Sequence, residues 1–454
     1  MLTPARLPIA VRNPVSLIGV AVTTAAAMLF LALFVLEMFG YVTNPYIGLL
    51  AFVAIPTVFV IGLLLIPLGA WRARRRRRLA PEEEPDWPVL DLRNPHQRTV
   101  FVAVLALTVV NLLIVSMAAY GGVHYMESAD FCGQVCHTTM EPQYAAYQGW
   151  PHARVPCVAC HVGPGASAVV ESKLAGTRQL FQVATGRVAM PIPSPVESMR
   201  PARETCEQCH WPEKFHGDKI RAIREYASDE ANSESMTTLQ LHVGGGSRAL
   251  GIGTGIHWHM NLDNQIEYVA TDATRQTIPY VQLTDRGGNV REFVAPGATP
   301  EQIAAGTRRR MDCMDCHNRP AHTFFASPER AVDAAIAQGR MPRELAFVRR
   351  ESVAAVGGEY GDRAAALAAI AQRLNEFYRD RGGADARLME RAVAAAQDAW
   401  SRNVFPAMNV SWGTYPSHLG HVDAPGCFRC HDDEHKAADG SVIRQDCELC
   451  HTIQ

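Results

Sequence analysis

The chain has 454 residues, of which 48% are hydrophobic, and a formal net charge of −2 at pH 7. A net charge this close to zero gives no overall positive field to attract a phosphate backbone, so no nucleic-acid partner is expected. The long apolar runs lie within the first 120 residues. This distribution predicts a membrane domain followed by a more polar part.

Three apolar runs, at residues 16–40, 46–71 and 99–120, are long enough to be membrane helices. Crossing a bilayer takes about 20 helical residues. The first run exceeds the roughly 7 to 15 apolar residues of a signal peptide, so we interpret it as an anchor. Residues 1–120 are therefore predicted to form a membrane domain with three transmembrane helices.

An arginine-rich segment, WRARRRRRL, follows the second run and indicates the orientation. Short loops rich in Lys and Arg stay in the cytoplasm, whereas the YVTNP loop between the first two runs has neither residue. The N-terminus and the loop 72–98 are therefore predicted to be cytoplasmic. Residues 121–454 would then lie in the periplasm, outside the inner membrane of a bacterium.

All twelve cysteines belong to motifs that end in Cys-His. Five motifs are C-x-x-C-H, the attachment sequence of a c-type haem. The remaining motif, FCGQVCH, has one extra residue between its cysteines. We predict six covalently bound haem c groups. The predicted attachment residues are Cys132, Cys136, Cys157, Cys160, Cys206, Cys209, Cys313, Cys316, Cys427, Cys430, Cys447 and Cys450, and the predicted proximal iron ligands are His137, His161, His210, His317, His431 and His451.

Zinc knuckles and a disulfide framework are the alternatives for these cysteines. Zinc would draw its four ligands from two such pairs or from distant histidines, and would not require His after every second Cys. A disulfide framework requires no His at all. The repeated Cys-His ending therefore favours haem attachment.

The fold class predicted for the whole chain is a mainly α membrane anchor with a haem-cored, loop-rich periplasmic domain. That domain would contain a small antiparallel β insertion, with a turn at Arg286-Gly287-Gly288, and a helical segment that starts near Ser327. The predicted divisions after the membrane domain are 121–237 with haems 1–3, 238–300 as the β insertion, 301–326 with haem 4, 327–405 as the helical segment, and 406–454 with haems 5 and 6.

A second axial ligand for each iron must come from outside the motifs if the haems are low-spin electron carriers. The periplasmic part offers more such groups than the six needed, which favours saturated irons. In GIHWHM, at residues 255–260, a strand would place both histidines on one face. The preferred distal set is His152, His257 or His259, His322, His418 or His421, and His435, with Met140 for the first haem.

The first site is expected to differ from the other five. Cys132 and Cys136 can still bond one haem if the extra residue loops outward. Met140 lies three residues after His137, so its thioether can either bind the same iron or pack against the porphyrin. This haem follows the third membrane run closely and is predicted to be the acceptor of electrons from quinol.

These motifs resemble the NapC/NirT family of membrane-anchored multihaem quinol dehydrogenases. The likeness lies in the membrane helix, the first Cys-rich site, GWPHARVPCVACHVGPG and the ESKLAG segment, while GIHWH and CMDCHNRPAH resemble longer inner-membrane members of metal-reducing and other anaerobic bacteria. The resemblance implies oxidation of membrane quinol and delivery of electrons to periplasmic cytochromes or reductases. It also implies that Lys173 lies near the quinol and that His152 is the distal ligand of a haem other than its sequence neighbour.

The chain departs from the simpler members of that family in three respects. Their first site commonly reads C-x-x-C-H-x-M, in which the Cys–Cys and His–Met spacings are each one residue shorter than here. They have one membrane helix and four haems, and some have an acidic residue near the position of Gln179. Glu37, near the outer end of the first span, is therefore our candidate acceptor of a quinol proton. A membrane carboxylate is a functional candidate, although its side chain could also simply reach the interface.

Three functions are compatible with this sequence. The leading one is a quinol dehydrogenase that relays electrons outward along six haems, with membrane lipid, quinol and periplasmic acceptors as partners. The alternatives are a periplasmic multihaem reductase with one open haem, and a fixed electron-transfer subunit of a larger respiratory complex or oligomer. All six motifs end in His, which favours electron transfer over an unusual catalytic haem.

Overall fold

The computed structural model describes residues 13–38, 47, 50–78, 93–135, 137–163, 165–196, 200–215, 217–245, 254–261 and 263–454. The chain divides into two compact units, Met1–Cys136 and His137–Gln454. The first unit contains the membrane helices, and the second contains the other elements of the fold.

Three helices in the first unit are long and apolar enough to cross a membrane: Pro14–Met38, Ile55–Arg78 and Pro95–Met126. A π-helical turn, Leu50–Ala54, precedes the second helix. The third begins at the side-chain cap Asn94, which accepts a hydrogen bond from the backbone N–H of His96 at 3.0 Å. These helices confirm the three predicted spans, with ends that differ by a few residues.

Glycines let the first two membrane helices approach closely. A Cβ atom on Gly19 would lie 2.8 Å from the carbonyl oxygen of Gly62, and one on Gly62 would lie 2.5 Å from Oγ1 of Thr23. The Oγ of Ser16 donates a hydrogen bond to the carbonyl of Ile66 at 2.9 Å. Small residues and interhelical hydrogen bonds are the usual means by which helices associate in lipid.

The second unit begins with short helices around the second and third motifs. They span His137–Gln148, Cys157–His161, Ala166–Ala184 and Ala202–Thr205. A small apolar cluster ties this stretch to later parts of the chain, because Ala146 packs with Phe324, Phe405 and Tyr415. The stretch therefore has little apolar core of its own.

Two antiparallel sheets occur where one was predicted. The first has the order β1-β2-β7, formed by Lys219–Tyr226, Glu234–Leu241 and His451–Ile453. The second has the order β5-β4-β3-β6, with β3 at Gln265–Ala270, β4 at Tyr280–Thr284, β5 at Val290–Val294 and β6 at Thr307–Arg310. Strands therefore extend beyond 238–300 on both sides. The predicted turn at 286–288 does connect β4 and β5.

A group of four helices follows the fourth motif: Pro328–Ala337, Val348–Val356, Arg363–Arg379 and Ala386–Ser401. The first begins at the predicted cap, where Ser327 accepts a hydrogen bond from the backbone of Arg330. Their apolar faces enclose a core that includes the fully buried Trp400, Leu374 and Ile370. We call residues 328–401 the four-helix segment. A short helix, Pro300–Ala305, precedes the fourth motif.

Asn232, in the turn between β1 and β2, fastens that sheet to the four-helix segment. Its side chain is fully buried and its φ is 49°. The amide donates to the carbonyls of Arg343 at 3.0 Å and Leu345 at 2.9 Å, and its oxygen accepts from the backbone of Arg349 at 3.0 Å. Because β7 contains the last motif histidine, this contact connects the helices to that motif.

Candidate functional site

Five of the Cys-His motifs begin with a short helical turn. The turns are Cys157–His161, Cys206–Gln208, Cys313–Cys316, Gly426–Arg429 and Cys447–Leu449. In three of them the motif histidine donates its backbone N–H to the carbonyl of the first cysteine, at 2.8 Å for His210 and His317 and 3.1 Å for His431. The repeated local geometry matches the repeated sequence.

The first motif has a different backbone. Residues Phe131–Val135 form a π-helical turn, which is one residue wider than an α-helical turn. The extra residue of this motif thus falls in a correspondingly wider turn. Cys136 lies outside the described residues, and for His137 only the backbone, at the start of a helix, is described. Met140 is half-buried in that helix.

Each of the other five motif histidines faces one histidine from outside the motifs. The ring centres are separated by nearly the same distance in all five pairs. The pairs are His161 with His322 at 6.1 Å, His210 with His152 at 6.0 Å, His317 with His257 at 6.3 Å, His431 with His259 at 5.8 Å, and His451 with His421 at 6.1 Å.

This separation suits a metal ion between two imidazoles. A metal–nitrogen bond to His is about 2.0 Å long, so two rings on opposite sides of one ion have centres about 6 Å apart. Burial lowers the pKa of His161 and His259, and lowers that of His322 to about 4. These rings are therefore neutral at pH 7, as metal ligands must be.

Hydrogen bonds also orient four of the five partner histidines, all except His421. In each of them Nδ1 donates to a backbone carbonyl, which leaves Nε2 unprotonated and able to bind a metal. The acceptors are Pro320 for His152 at 3.0 Å, Val243 for His257 at 2.9 Å, Ile256 for His259 at 2.7 Å, and Gln143 for His322 at 2.9 Å.

His418 and His435, two further candidates, have partners on both ring nitrogens. His418 contacts the carbonyl of Asp315 through Nδ1 at 3.1 Å and the amide of Gln276 through Nε2 at 2.9 Å. His435 contacts Asp432 through Nδ1 at 2.8 Å and the carbonyl of Ile278 through Nε2 at 2.7 Å. Both are 2% exposed. Their hydrogen bonds are those of structural residues.

GIHWHM forms a 3₁₀-helix, Ile256–Met260, and the predicted strand is wrong. Gly255 starts it at a φ of 73°, where a Cβ atom would lie 2.4 Å from the carbonyl of His242. The backbone of this segment therefore turns too tightly for a strand. His257 and His259 pair with two different motif histidines, His317 and His431.

The two predicted quinol-site residues belong to different units. Glu37 lies in the last turn of the first membrane helix, and its side chain is outside the described residues. Lys173 is exposed on the helix Ala166–Ala184 in the second unit. They remain predictions.

Comparison with known proteins identifies the family. The N-terminal region of the NapC/NirT cytochrome c family matches residues 94–192. The chain is also 42% identical over 448 residues to the cytochrome c-type protein ImcH of Geobacter sulfurreducens. This alignment covers 97% of this chain and 88% of that protein. The chain belongs to the NapC/NirT cytochrome c family. No solved structure matches it significantly.

Family membership makes the chain a membrane-anchored multihaem electron-transfer protein with covalently bound haem c. The residues present fit that group, since paired neutral imidazoles about 6 Å apart stand beside cysteine pairs. Within the part of the chain that the structure describes, no three His, Cys, Asp or Glu side chains converge as a structural zinc site would require. The donor set therefore suits axial ligation of a porphyrin-bound iron.

The second to sixth motifs lie near one another in space, in the same order as in the sequence. Burial is the largest cause of the raised pKa of Cys160, Cys316 and Cys450, and a thiol of another motif adds to it in each case. A hydrogen bond to Cys313 lowers the pKa of Cys206. The thiol pairs that influence one another's pKa are Cys160 with Cys206, Cys206 with Cys313, Cys316 with Cys427, and Cys427 with Cys450.

The segment HNRPAH, residues 317–322, touches three of the histidine pairs. His317 belongs to one pair and His322 to another. The carbonyl of Pro320 accepts the hydrogen bond that orients His152 in a third. The sequence gives the two histidines, but it contains no sign of the carbonyl acceptors, because the Pro320–His152 contact joins residues 168 positions apart.

Proposed function

We propose that the protein is a hexahaem quinol dehydrogenase that passes electrons from membrane quinol to periplasmic acceptors. The line of five histidine pairs, ordered as in the sequence and following a three-helix membrane unit, carries this proposal. NapC/NirT proteins pass electrons between quinol in the membrane and periplasmic redox partners. When bound, each haem supplies a one-electron carrier, and closely spaced carriers form a conducting line.

The proposed axial ligands follow the five pairs. Each motif histidine would hold the iron as its proximal ligand, and its paired histidine would be the second ligand. The second ligands proposed for haems 2 to 6 are, in order, His322, His152, His257, His259 and His421. We leave out His418 and His435 because protein groups already contact both of their ring nitrogens.

The first haem would be attached to Cys132 and Cys136 and bound by His137. Met140 is its proposed sixth ligand, in keeping with its half-buried place in the same helix. A thioether ligand raises the reduction potential of a haem relative to a second imidazole. A higher potential suits the group that first accepts electrons from quinol.

Oxidation of one quinol to quinone releases two electrons and two protons. We propose Glu37 as a proton acceptor, because a carboxylate within a membrane helix is rare and is by default a candidate for a functional site. Lys173 is proposed to orient the quinol oxygen. The same scheme places residues 72–98 in the cytoplasm and the haem unit in the periplasm, which supports delivery to periplasmic cytochromes or reductases.

A reductase with an open haem has less support than electron transfer. Such an enzyme needs an iron with a free coordination position. In five motifs an imidazole already faces the motif histidine at the ligation distance. Axial saturation of this kind suits carriers that exchange electrons without binding substrate at iron.

Quinol-driven reduction of the purified full chain in lipid nanodiscs tests the proposal. We expect six haems per chain, as counted by pyridine haemochrome, and reduction of these haems by a water-insoluble quinol with retention of low-spin spectra. A chain that is reduced by dithionite but not by any membrane quinol would contradict the dehydrogenase role. A high-spin haem that binds nitrite or sulfite would favour the reductase instead.

A further inference from the structure

Arg319 is a cation held in a fixed position between two of the predicted iron ligands. It lies in the HNRPAH segment, and its Nη1 donates to the carbonyl of His322 at 3.3 Å. The guanidinium carbon is 3.9 Å from the centre of the Tyr415 ring and 5.3 Å from that of Phe324. Two aromatic rings therefore limit the positions that the guanidinium can take.

This cation has no acidic partner within the described residues, and its Nε is buried without a hydrogen bond there. Arginine side chains stay protonated in proteins, so this group is a cation at pH 7. Other partly buried arginines differ: Arg349, for example, makes two bonds to Asp333, at 2.7 and 3.1 Å. A partly buried charge without a counter-charge is costly, so the arrangement favours an anion from outside the described residues.

We propose that Arg319 binds a carboxylate of the haem held between His161 and His322 and raises the reduction potential of that haem. The proposal rests on the function given above, through the assignment of this histidine pair. A haem has two propionate side chains, and guanidinium is the side chain best suited to bind a carboxylate by two parallel hydrogen bonds. Nearby positive charge favours the ferrous over the ferric iron, because the ferric site carries one more positive charge.

The position of Arg319 favours this haem over the others. Its Nη1 donates to the main-chain carbonyl of His322, and the ring of His322 pairs with that of His161. His322 in turn is oriented by a hydrogen bond of 2.9 Å from its Nδ1 to the carbonyl of Gln143. The cation is thus part of the same small structure that holds the distal imidazole of the second haem.

Redox titration of full-length holoprotein, followed by electron paramagnetic resonance, tests the inference. His322→Met is measured first, because it should replace one low-spin signal and so identify the second haem. In Arg319→Gln, the midpoint potential of that haem should then fall. The expected change is on the order of tenfold in its reduction equilibrium, which is about 59 mV for one electron. Arg319→Lys should show a smaller fall, since it keeps the charge but not the planar fork.

Arg349→Gln is the matched control, because it removes a partly buried arginine from the four-helix segment, where Asp333 is its partner. All six potentials should stay as in the parent protein. If Arg319→Gln retains six haems and the midpoint potential of the haem identified by His322→Met is unchanged, the inference is wrong. If His322→Met changes no low-spin signal, the ligand assignment fails instead, so the two failures can be told apart.

Discussion

The four-helix segment and residues 137–215 bury very different amounts of their own apolar surface. In the four-helix segment Trp400, Leu374, Ile370 and many further apolar side chains are almost completely buried. Among the described residues of 137–215, the buried apolar side chains are those of Ala146, Tyr147, Ala168 and Ala202. Apolar burial is the main favourable term in folding, so we expect the first region to be stable by itself and the second to need covalently attached haem.

The strongest test of this contrast is removal of the haems. We expect the full chain, produced without haem attachment and purified in detergent, to lose protection of its backbone amides over residues 137–215. The four-helix segment should keep slow exchange, because its core consists of its own side chains. Hydrogen–deuterium exchange measured by mass spectrometry checks both regions at once. Slow exchange of residues 137–215 without haem would overturn the comparison.

The next largest effect should come from replacing one distal imidazole. His322→Met should convert one bis-imidazole haem to His–Met ligation, raise its potential and leave the other haems unchanged. Electron paramagnetic resonance and a redox titration measure the change.

His418→Gln is the control for that substitution. It removes a buried histidine that contacts Asp315 and Gln276. We expect the free energy of unfolding to fall by about 1–3 kcal/mol, which is the cost of unsatisfied buried polar groups. Every haem spectrum should stay unchanged. Loss of a low-spin signal in this variant would mean that His418 is a ligand.

A smaller effect is expected at the first motif. Met140→Leu should lower the potential of one haem and slow reduction by quinol, since the thioether would be lost as a ligand while packing is kept. Stopped-flow reduction by quinol and a redox titration measure the two effects. Identical potentials and rates in variant and parent would show that Met140 only packs.

The smallest effect is expected when Asn232 no longer connects the β1–β2 turn to the four-helix segment. Asn232→Ala removes three hydrogen bonds between the β1–β2 turn and the four-helix segment. We expect a loss of about 1–3 kcal/mol in the free energy of unfolding, with faster exchange at the turn and an intact helical core. Thermal unfolding and amide exchange test this. Ser228→Ala, in the same exposed turn, should change stability far less.

Local patterns were sufficient to predict the membrane helices, the motifs and the helix start at Ser327, because each depends on residues close in sequence. The sheets were less predictable. β7 pairs Leu239 with Ile453, a contact across more than half of the second unit, so no local pattern indicates it. GIHWHM has the composition of a strand but forms a 3₁₀-helix. The tight turn that starts this helix is possible because residue 255 is glycine.

The sequence also could not select among the surplus histidines. Nδ1 of His322 bonds the carbonyl of Gln143, and its ring centre lies 6.1 Å from that of His161. Both ring nitrogens of His418, in contrast, have hydrogen-bond partners. Such a difference depends on tertiary contacts. Arg319 was missed for the same reason, because only the structure reveals its aromatic neighbours and the absence of an acidic partner among the described residues.

Near-infrared magnetic circular dichroism of the fully oxidised protein, combined with a haem count, tests the central claim most directly. Low-spin ferric haems give charge-transfer bands whose energy distinguishes bis-imidazole from imidazole–thioether ligation. The five histidine pairs predict that five of six haems contribute bis-imidazole intensity and that the remaining one does not share that ligation. Fewer than five bis-imidazole haems in a fully loaded protein would contradict the line of paired histidines.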